Sequence, residues 1–148
     1  MDRARDATPL GWTILLGFGL GGFFDGIILH QVLQWHHLLS LWNEDGGIEW
    51  LVLWDGLFHV LMYGITALAL WGLWRRGVPR GNRFLAAFLV GFGAWNAVDL
   101  VVFHWILEMH HIRVDTDAPL LYDIGWFVVF GLVPLAAGWV MLRRATLR

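Results

Sequence analysis

Four long apolar stretches, separated by short polar ones, dominate the chain. They cover Leu10–Leu39, Ile48–Trp74, Phe84–His111 and Leu120–Leu142. A helix that crosses a membrane needs about 20 mostly apolar residues, so each stretch predicts one spanning helix. We therefore predict an all-α integral membrane protein, a four-helix bundle that forms a single domain over residues 1–148.

The amino-acid composition agrees with a membrane protein and excludes several kinds of metal and redox site. Of the 148 residues, 58% are hydrophobic, and the mean hydropathy is +0.60. The chain has no cysteine, which excludes disulfides, cysteine zinc sites, iron–sulfur clusters and thiolate copper sites. Any metal site must therefore use histidine, carboxylate or amide ligands.

The arginines are distributed unevenly and predict an orientation. Nine of the ten arginines lie near the amino end, between the second and third stretches, or near the carboxyl end. The other two connections carry one arginine and, with Glu49 at the start of the second stretch, five acidic residues. The positive-inside rule then predicts both termini in the cytoplasm. The predicted partner is the lipid bilayer, and no nucleic acid is expected.

Two stretches of the sequence resemble each other. Gly17–His37 reads GFGLGGFFDGIILHQVLQWHH, and Gly91–His111, 74 residues later, reads GFGAWNAVDLVVFHWILEMHH. The identical positions include one aspartate and three histidines in each copy. We predict an internal repeat, residues 10–74 and 84–142, that is a duplicated two-helix hairpin. Because the first and third helices run in the same direction, the repeat is of the parallel kind.

Ionisable side chains inside spanning segments are costly, and they commonly mark functional sites. If the helix continues through the first copy, His30, Gln34 and His37 lie one turn apart on one face. The third helix repeats this stripe with His104, Glu108 and His111.

These residues predict a transition-metal site in the outer half of the bilayer, for metal handling or redox chemistry. Imidazole suits zinc, copper and iron, and the pattern does not distinguish among them. The expected ligands are His30, His37, His59, His104, Glu108 and His111. The expected outer partners or alternate ligands are Asp25, Gln34, His36, Asp55, Asp99, His110 and Asp123.

Two other interpretations use the same residues. Histidines from the two copies, His30 with His104 or His37 with His111, are also suited to hold haem b axially. Asp25, Asp99 and the histidines are alternatively suited to form a proton or ion conduit. The sequence does not decide whether the protein is an enzyme, and it assigns no catalytic residue.

The segments GGFFDGIILHQVLQWHH and DLVVFHWILEMHH share a D-x4-H-x5-HH pattern, and WDGLFH lies between them in the chain. Together they resemble a bacterial family of four-helix membrane proteins catalogued as a domain of unknown function. The resemblance implies the four-helix fold and a location in the bacterial inner membrane. It also suggests association with respiratory oxidases or their copper-delivery assembly factors. It implies no activity.

Overall fold

The computed structural model describes residues 10–43 and 46–146. These residues form four helices that are long and apolar enough to cross a membrane. Helix α1 covers Leu10–Val32, α2 covers Ile48–Arg76, α3 covers Asn82–Ile106, and α4 begins at Pro119 and reaches Thr146. The prediction of four helices of membrane-spanning length and composition is therefore confirmed.

Three of the helices change from α to π geometry inside the span. Helix α1 does so at Gly26, α3 at Asp99 and α4 at Phe127, whereas α2 is described as α-helix throughout. Helix α4 returns to α geometry at Val133. A π segment widens the helix and turns the following side chains away from the 100° spacing, and such segments are frequent at functional sites.

The predicted ends of the first and third helices are wrong. Helix α1 ends at Val32 rather than Leu39, and α3 ends at Ile106 rather than His111. Two residues beyond each end, Gln34 and Glu108 adopt left-handed backbone conformations with φ of 51° and 49°. The continuous helical stripe inferred from the sequence is therefore not formed, because the chain turns before it reaches the tandem histidines.

After each turn the chain folds back over the helix end. Trp35 donates its backbone N–H to the carbonyl of Leu29 at 2.9 Å, and Met109 donates to Phe103 at the same distance. The two segments also bond to each other, with Leu41 donating to the carbonyl of Met109 at 2.9 Å. These segments, residues 33–43 and 107–118, are called the first and second return loops below.

Glycine allows α1 and α3 to form the close central pair of the bundle. A Cβ on Gly17 would overlap the backbone of Phe88, and a Cβ on Gly91 would overlap the backbone of Ile14. Small residues permit this approach between helices in membranes. Helix α2 then packs against α1, and α4 packs against α3. The outer faces of α2 and α4 expose apolar side chains such as Val60 and Val129, as expected where a helix meets lipid.

Candidate functional site

Four buried imidazoles lie together at the end of the bundle where α1 and α3 finish. His36 contacts His30 and His110 with ring centroids 4.5 Å apart in both pairs. His110 in turn lies 4.3 Å from His104. All four residues are at most 2% exposed. Burying so many polar rings is costly unless their nitrogens are hydrogen-bonded or bind something.

The return loops hold the two central imidazoles through each other's backbone. Nδ1 of His36 lies 2.9 Å from the carbonyl oxygen of Ile112, and Nδ1 of His110 lies 2.9 Å from that of Leu38. A carbonyl only accepts, so Nδ1 is the donor in both rings. Burial, followed by the neighbouring imidazoles, lowers the pKa of His36 and His110 well below the usual value. Both rings are then neutral at pH 7, and each Nε2 has a free lone pair.

Asp55, in the second turn of α2, fixes the first return loop. Its Oδ2 lies 2.7 Å from Nδ1 of His37, and its Oδ1 accepts the backbone N–H of Leu38 at 2.9 Å. Nδ1 of His30 also lies 2.9 Å from Oδ1, although the pair lacks the alignment of a hydrogen bond. This carboxylate therefore ties the loop to α2 and orients His37.

Asp123, in the second turn of α4, does the same for the second return loop. It lies 3.1 Å from Nδ1 of His104 and 2.7 Å from Nδ1 of His111. It also accepts the N–H of Ile112 at 2.8 Å and the indole N–H of Trp105 at 3.3 Å. Contacts of this carboxylate–histidine kind orient metal ligands in many proteins.

Two groups among the described residues have the geometry to hold a metal ion. Asp99, His104 and His110 offer ligand atoms that all lie within 4.8 Å of one another, and all three residues are buried. The second group is His104, His111 and Asp123, but Asp123 already accepts from several donors. The first group, called the metal triad below, is the better candidate.

The atoms available in the metal triad follow from the hydrogen bonds around it. His104 uses Nδ1 toward Asp123, and His110 uses Nδ1 toward Leu38, so Nε2 is the atom left in each ring. Nε2 of His104 lies 3.2 Å from Oδ2 of Asp99. Two imidazole nitrogens and one carboxylate oxygen thus lie close enough together to share one ion.

A cavity of about 320 Å³ lies beside the metal triad. Asp99 and His110 line it, together with Asp25 and His30. The rest of its lining is apolar or aromatic. Sites for small molecules commonly have this character, with a few polar groups in a mainly hydrophobic wall.

Several residues expected as ligands or alternate ligands lie outside the metal triad. Gln34 and Glu108 are exposed at the left-handed turns. His59 stacks on Phe23 with centroids 6.0 Å apart, and it belongs to neither potential metal group in the described ranges. His37 and His111 are bound to the carboxylates at the edge of the cluster, and their side chains are 20% and 27% exposed.

His36 and His110, which the sequence suggested only as outer or alternate residues, lie in the centre of the cluster. The sequence does contain a signal for this position, since both belong to the tandem histidines that occur in each copy. Choosing between the two members of each tandem pair required the turn at Gln34 and Glu108, which changes the side that each histidine faces.

The fold and the buried histidine–aspartate cluster define a class: a helical membrane protein with four candidate spans and a polar centre at one end. Residues 12–145 match the model of a family described as "Predicted membrane protein (DUF2243)". The chain belongs to that family. It has no match among curated proteins or among solved structures.

Proposed function

We propose that this protein binds a divalent transition metal through Asp99, His104 and His110. The observation that supports this most is the metal triad itself, three buried ligand atoms within 4.8 Å of one another. Asp123 and the carbonyl of Leu38 orient the two imidazoles from behind. Relative to the sequence expectation, His104 is retained as a ligand, and Asp99 replaces Glu108 as the carboxylate.

The donor set limits which metal is bound. Two histidines and one carboxylate bind iron(II) in sites with open coordination positions, and a similar set binds catalytic zinc. Copper(I) prefers sulfur ligands, and the chain has no cysteine. The donor set thus argues against copper(I), and among the divalent ions we propose iron or zinc, with positions left for a small molecule or water.

Elemental analysis of detergent-purified protein tests this proposal. We expect about one iron or zinc per chain, and loss of that metal in His110→Ala. His59→Ala is the matched control, because it removes a histidine that stacks on Phe23 outside the triad. Equal metal content in His110→Ala and the wild type would refute the triad. A strong Soret absorption band would instead support the haem b interpretation.

We also propose that the site faces the extracytoplasmic side of a bacterial inner membrane, and that the fold arose by duplication of a hairpin. The arginine distribution supports the orientation, and contacts that recur 74 residues apart support the duplication. An Asp117→Cys variant should react with an impermeant maleimide in intact cells, whereas Gly81→Cys should not. The reverse labelling would invert the orientation. A respiratory oxidase or its assembly factor remains the partner suggested by the resemblance, and co-purification tests it.

A second function, proton conduction, is favoured by a line of close contacts in the second half. Asp99 lies 3.2 Å from His104, His104 lies 3.1 Å from Asp123, and Asp123 lies 2.7 Å from His111. The line leads from a buried carboxyl to a partly exposed imidazole. Proton flux into liposomes that contain metal-free protein, abolished by Asp123→Leu, would support this function. Absence of flux in the wild type would exclude it.

A further inference from the structure

The cavity beside the metal triad is lined by several polar groups that lack partners. Oδ1 of Asp25 and Nε2 of His30 are buried and have no hydrogen-bond partner among the described residues. Asp25 is 2% exposed, and so is His30. The indole nitrogen of Trp54, which also lines the cavity, is likewise unpaired. Buried polar atoms without partners are rare and call for an explanation.

The walls of the cavity are aromatic and its outer edge faces lipid. Phe58, Trp95 and Phe103 line it. Leu57 and Leu61 also line it from α2, and they are 49% and 58% exposed. Since α2 is one of the candidate spans, exposed leucines on it contact lipid acyl chains. A molecule dissolved in the bilayer therefore reaches the cavity without crossing water.

We propose that this cavity binds a quinol-type lipid, a flat ring that carries hydroxyl groups and an apolar tail. The ring matches the aromatic walls, because aromatic groups favour stacked or edge-on contacts with one another. A hydroxyl donates to Asp25 or His30 and satisfies an atom that is otherwise unpaired. The tail extends past Leu57 and Leu61 into the membrane.

This inference rests on the proposed function in part, because Asp99 and His110 belong to both the metal triad and the cavity wall. A ring bound against Asp25 would share the cavity with Asp99 and His110, which would hold the metal. The quinol is thus the substrate or ligand class that we assign to the metal site.

Binding of decylubiquinol to detergent-purified protein under anaerobic conditions, measured by titration calorimetry, tests the proposal. Leu57→Trp fills the outer edge of the cavity and should weaken binding by at least about tenfold. Leu53→Trp is the matched control, because Leu53 is a similarly exposed leucine on α2 that does not line the cavity. Equal affinity of these two variants would overturn the assignment of the quinol to this cavity.

A second pair of measurements tests the hydroxyl contacts. Asp25→Leu removes the unpaired acceptor and should weaken quinol binding by about tenfold, the loss expected for one buried hydrogen bond. Decylubiquinone, which has no hydroxyl to donate to Asp25, should bind less tightly than the quinol. Tighter binding of the quinone would overturn the hydroxyl recognition. A thermal unfolding curve for each variant separates lost binding from lost folding.

Metal analysis of the same samples separates this inference from the proposed function. Metal bound with no affinity for the quinol refutes the quinol site and leaves the metal triad. Quinol affinity that requires Leu57, in wild-type protein that binds neither iron nor zinc when these ions are added, refutes the triad and leaves the cavity site. His104→Ala should remove the metal while retaining quinol binding, because His104 does not line the cavity.

Discussion

The two halves of the molecule place equivalent residues in nearly equivalent positions, yet they differ at the carboxylate that lies deepest. In the second half, Asp99 lies 3.2 Å from Nε2 of His104. In the first half, no corresponding close contact joins Asp25 to His30 among the described residues. Each of the two aspartates has one buried oxygen without a hydrogen-bond partner, and both line the cavity. The second half thus brings its carboxylate and imidazole into a group suited to a metal, and the first half does not.

Neighbouring residues account for part of this difference. Trp105 donates its indole N–H to Asp123, but the position 74 residues earlier is Gln31, which is exposed. Helix α4 contains a π segment, whereas α2 does not. The carboxylate of the second half is therefore held by more donors, and His104 is better oriented than His30. Two halves with matching aspartates and histidines can therefore arrange these side chains differently.

The strongest test of the comparison is removal of the corresponding histidines. His104→Ala removes a triad ligand, and we expect purified protein to retain almost no metal. His30→Ala removes the counterpart outside the triad and should leave most of the metal bound. Elemental analysis with a folded-state check by circular dichroism measures both. Equal losses of metal in the two variants would mean that both halves contribute equally to metal binding. The proposed difference between the halves would then be wrong.

The close contact between α1 and α3 is the place where the halves should behave alike. Gly17→Leu and Gly91→Leu each force a side chain into the opposite helix backbone. Each should destabilise the protein by about 3 kcal/mol or more, measured by thermal or denaturant unfolding in detergent. Gly64→Leu is the control, because a Cβ there meets nothing within 4 Å. Tolerance of Leu at Gly91 would contradict the packing described for the central pair.

The carboxylates that hold the return loops should also differ in their effect on metal. Asp123→Asn weakens the orientation of His104 and should lower metal affinity about 10–100-fold, as loss of an outer partner commonly does. Asp55→Asn affects His30 and His37, which lie outside the triad, and should change affinity less. Competition with a chelator of known affinity measures the ratio. A larger loss of metal affinity in Asp55→Asn would indicate that the metal binds in the first half instead.

The smallest expected difference concerns the indole in the second half. Trp105→Phe removes one hydrogen bond to Asp123 and should lower stability by about 1 kcal/mol. Gln31→Leu, at the matching position in the first half, should have little effect because Gln31 is exposed. Unfolding midpoints of the two variants compare them. A neutral Trp105→Phe would show that the 3.3 Å contact adds nothing to the anchoring of Asp123.

Much of the architecture could be predicted from the sequence, because membrane spans have a simple physical requirement. Long apolar runs give the four helices, and the aspartates and histidines inside them indicate a polar site. The helix ends were harder to predict. The first return loop is itself partly buried and contains Trp35, Leu38 and Leu39, so the apolar run continues after the helix has stopped.

The faces of the candidate ligands were also predicted wrongly, and for the same reason: the helices end before the tandem histidines. Left-handed turns usually reveal themselves through glycine or asparagine, but here they fall on Gln34 and Glu108. Extending the 100° spacing through π segments and past these turns gave the wrong faces. His36 and His110 consequently appeared peripheral, although their rings stack at the centre of the cluster, 4.5 Å apart.

The exchange of hydrogen bonds between the return loops has a consequence for biogenesis. His36 donates to Ile112, and His110 donates to Leu38, so each half completes the other. A nascent chain that has inserted only α1 and α2 carries a histidine donor and a backbone carbonyl whose partners have not yet been synthesised. Until the second hairpin is inserted, these two groups of the first hairpin therefore lack their native hydrogen bonds. The polar centre is completed only when the second hairpin arrives, which makes its assembly a late event in the maturation of the protein.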